Sequence, residues 1–311
     1  MNAIKTPRTL RLLATSLALG ASAASLAAET AHRSPGEIVK TAKAEEWRAL
    51  DPQNTVVMRV NGGQVVFELA PRFAPLHAAN IRTLAHEGYF EGTAILRVHD
   101  NYVTQWGDPN EDDKAKAKSF GSAKTALPAE FAIAAKNLPV TPVAGPDGWA
   151  PETGFIDAMP VALDRREDQA WIPHCYGVIG VARGATVDSG SGAGLYVVIG
   201  QSPRALDRNI TIAGRVLQGM EYLTALPRGT GQLGFYEKPE QFVPITGAKL
   251  LADLPPAQRP QLEVLKTDSA SFKEILESRR HVTNPWFVHS PEYVNVCNIQ
   301  VPVRPTPKPG A

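Results

Sequence analysis

The chain has 311 residues, of which 43% are hydrophobic, 20% charged and 7% aromatic, with a formal net charge of +1. This composition is typical of a globular protein and excludes a disordered tail protein, a collagen-like repeat and a disulfide-dense mini-domain. Lys5, Arg8 and Arg11 precede every acidic residue, so without them the 32 basic residues fall to 29 against 31 acidic ones. A net charge near −2 gives no electrostatic footprint for nucleic acid or an anionic membrane.

Residues 1–27 have the pattern of a secretory signal peptide. A basic start is followed by an uncharged run of Ala, Leu and Ser over 12–28, and Ser25-Leu26-Ala27 supplies the small-x-small cleavage pattern. The alternative is an uncleaved membrane anchor, but 17 residues diluted by Ala, Ser and Gly are marginal for a bilayer that needs about 20 apolar ones. We therefore expect cleavage near Ala27, export to the periplasm and no stable membrane insertion afterwards.

The elements predicted next are an N-terminal extension over 28–52 and then a β-hairpin. Two β-branched runs, 55–60 and 64–69, flank Asn61-Gly62-Gly63, which is typical of a tight hairpin turn. Apolar residues at helical spacing predict a helix over 76–86 that ends at Gly88. Two short strands are expected over 94–98 and 102–105.

Periodicity is weak over 109–173, which we interpret as an insertion that carries functional loops or a flexible flap. Regular patterns return with strands predicted over 176–182, 195–199, 210–216 and 243–252 and a short helix over 219–226, and 253–311 forms a C-terminal extension with one helix over 271–279. Many short strands, two flanking helices and glycine-rich connections favour a mainly β fold, a closed barrel within 53–252, over a parallel sheet.

The two cysteines, Cys175 and Cys297, leave two alternatives. In an oxidising compartment they can form a disulfide; otherwise they are two buried free thiols. Two cysteines without histidine at ligand spacing do not make a metal site, so we expect neither a metal nor another cofactor.

Residues 92–108 read Gly-Thr-Ala-Ile-Leu-Arg-Val-His-Asp-Asn-Tyr-Val-Thr-Gln-Trp-Gly-Asp. Around this run, Ala74-Pro75 is followed by Asn80, 176–182 read Tyr-Gly-Val-Ile-Gly-Val-Ala, and Leu206-Asp207 precedes Gly214-Arg215-Val216 and Gly219-Met220. The order of these motifs resembles that of cyclophilins, the peptidyl-prolyl cis–trans isomerases. The resemblance covers about 55–108 and 174–252 and implies an eight-stranded antiparallel barrel with two flanking helices.

The resemblance also implies a site. Arg97 matches the family's catalytic arginine, and Gln105 matches the glutamine that orients it. Ala182 would receive the residue that precedes proline. The apolar slot for the proline ring would be formed by five residues: Tyr102, Val103, Val197, Leu206 and Ile210.

The implied function is isomerisation of prolyl bonds in proline-containing segments of exported proteins during folding. The chain departs from the family where Val197 and Ile210 replace a pocket Phe and a pocket His, and where Trp106 replaces a glycine. These changes keep the slot apolar but remove aromatic rings, which would lower the rate, change the preferred sequences or leave binding alone. The alternative function is thus a non-catalytic chaperone or peptide-binding scaffold.

Overall fold

The computed structural model describes residues 32–307. Its strands, in chain order, are β1 (Trp47–Ala49), β2 (Thr55–Val60), β3 (Gly63–Leu69), β4 (Ala94–Val98), β5 (Val103–Gly107), β6 (Thr141–Val143), β7 (Glu152–Ile156), β8 (Met159–Asp164), β9 (Gln169–Trp171), β10 (Val178–Val181), β11 (Leu195–Val198), β12 (Ile212–Gln218), β13 (Val243–Leu250), β14 (Leu262–Leu265) and β15 (Val303–Pro305). The α-helices are α1 (Pro35–Thr41), α2 (Pro75–His86), α3 (Glu221–Thr224) and α4 (Ala270–Arg280).

Eight of these strands close into a barrel in the order β10-β11-β5-β4-β13-β2-β3-β12, with β12 paired back to β10. Every pairing in the barrel is antiparallel. The predicted hairpin is β2–β3, and its turn places Asn61 at φ 51° and Gly62 at φ 72°. Positive φ at both turn residues suits the right-handed twist of the two strands. The prediction of a closed eight-stranded antiparallel barrel is confirmed.

Two helices pack against the residues that fill the barrel. Helix α2 starts with Pro75 in its first turn, where a missing N–H costs nothing, and buries Ile81 and Leu84. Helix α3 buries Leu223, and these three side chains belong to the same apolar cluster as Phe67 of the barrel interior. The two flanking helices therefore form as predicted.

The segments outside the barrel strands build two further sheets. The insertion over 109–173 contains a four-stranded sheet in the order β6-β7-β8-β9, so it is a folded unit in addition to its loops. Strand β1 of the N-terminal extension pairs with β14, which pairs with β15, so the two extensions share one sheet. Arg33 before α1 also binds Glu274 of α4, with 2.7 Å between Nε and Oε1.

Apolar residues form two large cores, one on each side of the barrel wall. The inner core includes Ile95, Trp106 and Leu195, which alternate inward along the strands. We call the other set the outer core: it contains outward-facing barrel residues such as Val103 together with Phe155 of the insertion and other accessory residues. Side chains on one part of the barrel's outer wall are therefore as fully buried as those in its interior.

A disulfide joins Cys175, next to β10, to Cys297 in the C-terminal extension, 122 residues later. Of the two alternatives for these cysteines, a disulfide or two free thiols, the structure has the disulfide. The predicted signal peptide, 1–27, lies outside the described residues. Within 32–307, no helix is both long and apolar enough to cross a membrane. In the same residues, no group of three or more His, Cys, Asp or Glu side chains is placed to bind a metal ion.

Candidate active site

Arg97 and Gln105 lie side by side on the outer wall of the barrel. They are paired across the antiparallel strands β4 and β5, after a bulge between Ile95 and Arg97. Residues directly opposite each other in such a pair project to the same face of the sheet. Nη1 of Arg97 accordingly donates to Oε1 of Gln105 at 3.1 Å.

Two further hydrogen bonds fix the guanidinium. Nε of Arg97 donates to the backbone oxygen of Leu233 at 2.6 Å, and Nη2 donates to Nδ1 of His99 at 3.1 Å. A guanidinium has only donors, so Nδ1 of His99 is the nitrogen without a proton. Because three of the five N–H donors are used, two remain for a ligand.

Aromatic rings flank the same cation. The guanidinium carbon of Arg97 lies 5.5 Å from the centre of the Tyr102 ring and 5.3 Å from that of Phe235. Partial burial lowers the pKa of Arg97, against the opposing effect of nearby tyrosines. The side chain remains a cation at neutral pH because arginine titrates far above it.

The segment that brings Leu233 and Phe235 to the site was not found by sequence reasoning. Gly234 has φ +79°, and a Cβ there would lie 2.6 Å from Cα of His99, so a larger residue could not make this approach. Phe235 forms a bridge to Arg97, as an extra strand residue would. The closely spaced glycines before Phe235 were the sequence signal for this tight segment. A strand pattern alone does not predict that it approaches Arg97.

The strand register corrects one predicted slot residue. Tyr196 lies opposite Gln105 and Val198 opposite Val103, so Tyr196 and Val198 face outward. Val197 projects to the other side and is wholly buried in the inner core. The prediction that Val197 lines the slot is therefore wrong, because a one-residue shift in register reverses every side chain. Val198 faces outward instead and is buried in the outer core.

The other predicted slot residues lie on or beside the outward face. Val103 is buried in the outer core, and Tyr102 and Ile210 pack against that core while partly exposed. Ile210 also contacts a small cavity together with Trp171 of the insertion. Leu206 ends a short turn at 204–206 and is partly exposed.

The turn that carries Leu206 is held by a buried ionic network. Nε of Arg204 donates to Asp207 at 2.6 Å, and its terminal nitrogens donate to Asp147 of the insertion at 3.1 Å. The side chains of these three residues are only 4–6% exposed. His174, fully buried, joins Oδ1 of Asp207 through Nδ1 (3.1 Å) and the hydroxyl of Tyr196 through Nε2 (2.9 Å). The network thus connects the insertion, this turn and the strand below the slot.

Ala182 lies apart from the slot. It lines a cavity of about 370 Å³ that also contacts Gln105, Gly194 and Phe235. The backbone N–H of Ala182 donates to the oxygen of Gly194, which precedes β11, whereas Val103 pairs with Val198 at the other end of that strand. A role for Ala182 in receiving the residue before proline stays a prediction.

Known proteins are similar to this chain in sequence and in fold. The model of the cyclophilin-type peptidyl-prolyl cis–trans isomerase family matches residues 55–250. A "probable peptidyl-prolyl cis-trans isomerase" of Brucella suis is 27% identical over 205 residues, covering 64% of this chain and 84% of the relative. A relative with the same name in Brucella abortus is 26% identical over the same length.

A solved structure is similar over more of the chain. The crystal structure of cyclophilin AquaCyp293 from Hirschia baltica aligns with a TM-score of 0.67 and 26% identity, covering 84% of this chain and 93% of the other. The chain belongs to the cyclophilin family of peptidyl-prolyl cis–trans isomerases. It is therefore an isomerase.

Proposed function

We propose that this isomerase acts in the periplasm on proline-containing segments of exported proteins while they fold, with Arg97 as the catalytic cation. The signal-peptide pattern of residues 1–27 supports the compartment. The observation that carries the catalytic assignment is the half-buried guanidinium of Arg97, fixed by three hydrogen bonds with two donors left over.

The chemistry needs no covalent step. The barrier to rotation about a prolyl bond is about 18–20 kcal/mol, because amide resonance keeps the bond planar. A donor that binds the imide nitrogen as it pyramidalises, or the carbonyl oxygen as the bond twists, favours the twisted state over both planar states. The rigid fork of Arg97 suits this role, and Gln105 holds one arm of the fork in place.

The apolar surface beside Arg97 suits a proline ring. Tyr102 and Ile210 are partly exposed and pack against the outer core, which contains Val103 and Val198. The ring would rest on this surface with its imide bond toward the guanidinium. Fewer aromatic residues surround the slot than the family pattern has, so we expect a lower rate or a changed preference among proline-containing sequences.

A prolyl isomerisation assay on a panel of Xaa-Pro peptides tests the enzymatic proposal. Replacing Arg97 with Ala should lower kcat/KM by ~10²–10³, the usual effect of losing one transition-state donor. Peptide affinity should change much less, and circular dichroism should show an unchanged fold. Arg97→Lys should restore little activity, because a single ammonium cannot reproduce the fork.

Two results would overturn this assignment. Wild-type rates in folded Arg97→Ala would remove Arg97 from catalysis. Binding of unfolded clients without acceleration of any peptide would favour the chaperone alternative. Export is tested separately: the periplasmic fraction should hold a protein whose N-terminal sequence begins near Ala28, and retention of the full chain in the membrane would contradict it.

A further inference from the structure

A cavity of about 720 Å³ lies between the outer wall of the barrel and the C-terminal segment 296–301. Its lining includes neither Arg97 nor Gln105, so it is separate from the candidate active site. Apolar side chains such as Leu217, Met220 and Ile299 form much of its wall. Its volume is in the range of cavities that hold small ligands.

A charged group without a partner lines this cavity. Arg215 projects outward from β12. Its Nε and Nη2 atoms are shielded from solvent and donate to no hydrogen-bond acceptor among residues 32–307. Burial lowers the pKa of Arg215 to about 10, so the side chain is still a cation at neutral pH. A buried donor without an acceptor destabilises a fold, which makes such a group uncommon unless something binds it.

The nearest acid does not neutralise Arg215. Glu68 lies directly opposite Arg215 in the pairing of β3 and β12. Both of its carboxylate oxygens accept hydrogen bonds from Arg48 instead, each at 2.7 Å. Two cations therefore share one carboxylate, and the group of three has a net charge of +1.

The other charged residues that line the cavity do not change this balance. Arg279 and Glu221 both contact it, and both are exposed. Their charges cancel, so the cavity retains the single positive charge of Arg215. A guanidinium fork matches the geometry of a carboxylate, to which it can donate two parallel hydrogen bonds.

We propose that this cavity, which we call the C-terminal cavity, is a second binding site for an apolar molecule that carries one carboxylate, held by Arg215. Two sources share this chemistry: the C-terminal end of an apolar peptide and a medium-chain fatty acid. The apolar wall would bind the side chains or the acyl chain while the carboxylate binds the guanidinium.

Calorimetric titration of the full-length mature protein tests the site with three probes. The probes are the proline-free peptide N-acetyl-Ala-Leu-Phe with a free C-terminus, the same peptide as its C-terminal amide, and octanoate. The peptide acid should bind at least tenfold more tightly than its amide. Octanoate binding in place of peptide binding would assign the site to fatty acids, and absence of binding by both carboxylates would overturn the proposal.

Two variants locate the binding. Arg215→Met keeps the length of the side chain and removes its charge, so it should abolish carboxylate binding and raise the melting temperature of the free protein. Arg59→Met is the matched control, since Arg59 is an exposed arginine of β2 in the same barrel, and it should change neither. Unchanged carboxylate affinity in Arg215→Met would contradict the assignment.

The comparison of acid with amide needs no variant, so it remains decisive if Arg215→Met folds poorly. Prolyl isomerisation should be the same in Arg215→Met as in the wild-type protein, because the cavity does not include the catalytic arginine. The two variants also test the two proposals separately. Loss of isomerase activity in Arg97→Ala, with binding of the peptide acid unchanged, would support both the active site and the second site.

Discussion

The outer wall of the barrel has two regions with opposite surroundings. At Arg97 of β4 and Gln105 of β5 the wall is open, and this polar pair is half-buried with two N–H donors of Arg97 unused. Around β10 and β12 it is covered, and Val178 lies in the outer core beneath accessory segments. The same inner core supports both regions. The difference teaches that the barrel strands fix the positions of outward-facing side chains. The insertion and the two extensions decide which of these side chains remain accessible to a substrate.

The largest expected effect concerns the covered region. Cys175→Ser should lower the free energy of unfolding by about 4–5 kcal/mol, because the lost disulfide closes a long loop in the unfolded chain. Activity of the folded protein should change little, since neither cysteine contacts Arg97. Urea unfolding and the peptide assay measure the two effects.

The double variant Cys175→Ser/Cys297→Ser is the control for this prediction. It should lose no more stability than either single variant, because one bond is removed in each case. An unchanged unfolding midpoint in the presence of reductant would show that the disulfide does not stabilise the covered region.

A smaller effect is expected at the ionic network of Arg204, Asp147 and Asp207. Burial disfavours the charged form of Asp207, but hydrogen bonds from His174 and Arg204 outweigh it and hold its pKa below the ordinary value. The stabilisation is therefore complete above the unfolded pKa of about 3.9 and is lost as pH falls through the folded pKa.

Asp207→Asn should cost about 3 kcal/mol at pH 7, because it leaves Arg204 with one acid fewer in a buried site. The stability gap between this variant and the wild-type protein should shrink as pH is lowered below about 4. Urea unfolding across this range checks the sign. A gap that stays constant down to pH 2 would show that the charge of Asp207 does not stabilise the network.

Sequence reasoning found the barrel because short β-rich runs between glycine-rich connections mark its strands and because the order of the motifs resembles one family. It found Arg97 and Gln105 because they belong to one short motif. It missed the sheet of the insertion, whose strands are short and in one case contain a proline, Pro142. It also missed Leu233, because a backbone carbonyl that binds Arg97 leaves no trace in the side-chain sequence. Register beyond a loop of uncertain length was equally hidden, which explains the error at Val197.

The open region gives a milder prediction. Gln105→Ala should lower kcat/KM by about tenfold, or ~1.4 kcal/mol in activation free energy, since the guanidinium keeps its bonds to His99 and Leu233. Because Gln105 acts through Arg97, the double variant Arg97→Ala/Gln105→Ala should be no slower than Arg97→Ala alone. Additive losses in this cycle would show that Gln105 contributes to catalysis independently of Arg97.

The smallest expected change in activity distinguishes two adjacent valines on opposite faces of β11. Val198→Ala should raise KM a few-fold, because it removes buried apolar support beneath the surface on which we place the proline ring. Val197→Ala should leave KM unchanged, although it removes buried apolar volume from the inner core and so lowers stability by roughly 1–3 kcal/mol. Both residues are completely buried and differ in direction alone, so each is the control for the other. If KM responded to Val197→Ala instead, the slot would lie on the face that the sequence motif predicts and the register would be contradicted.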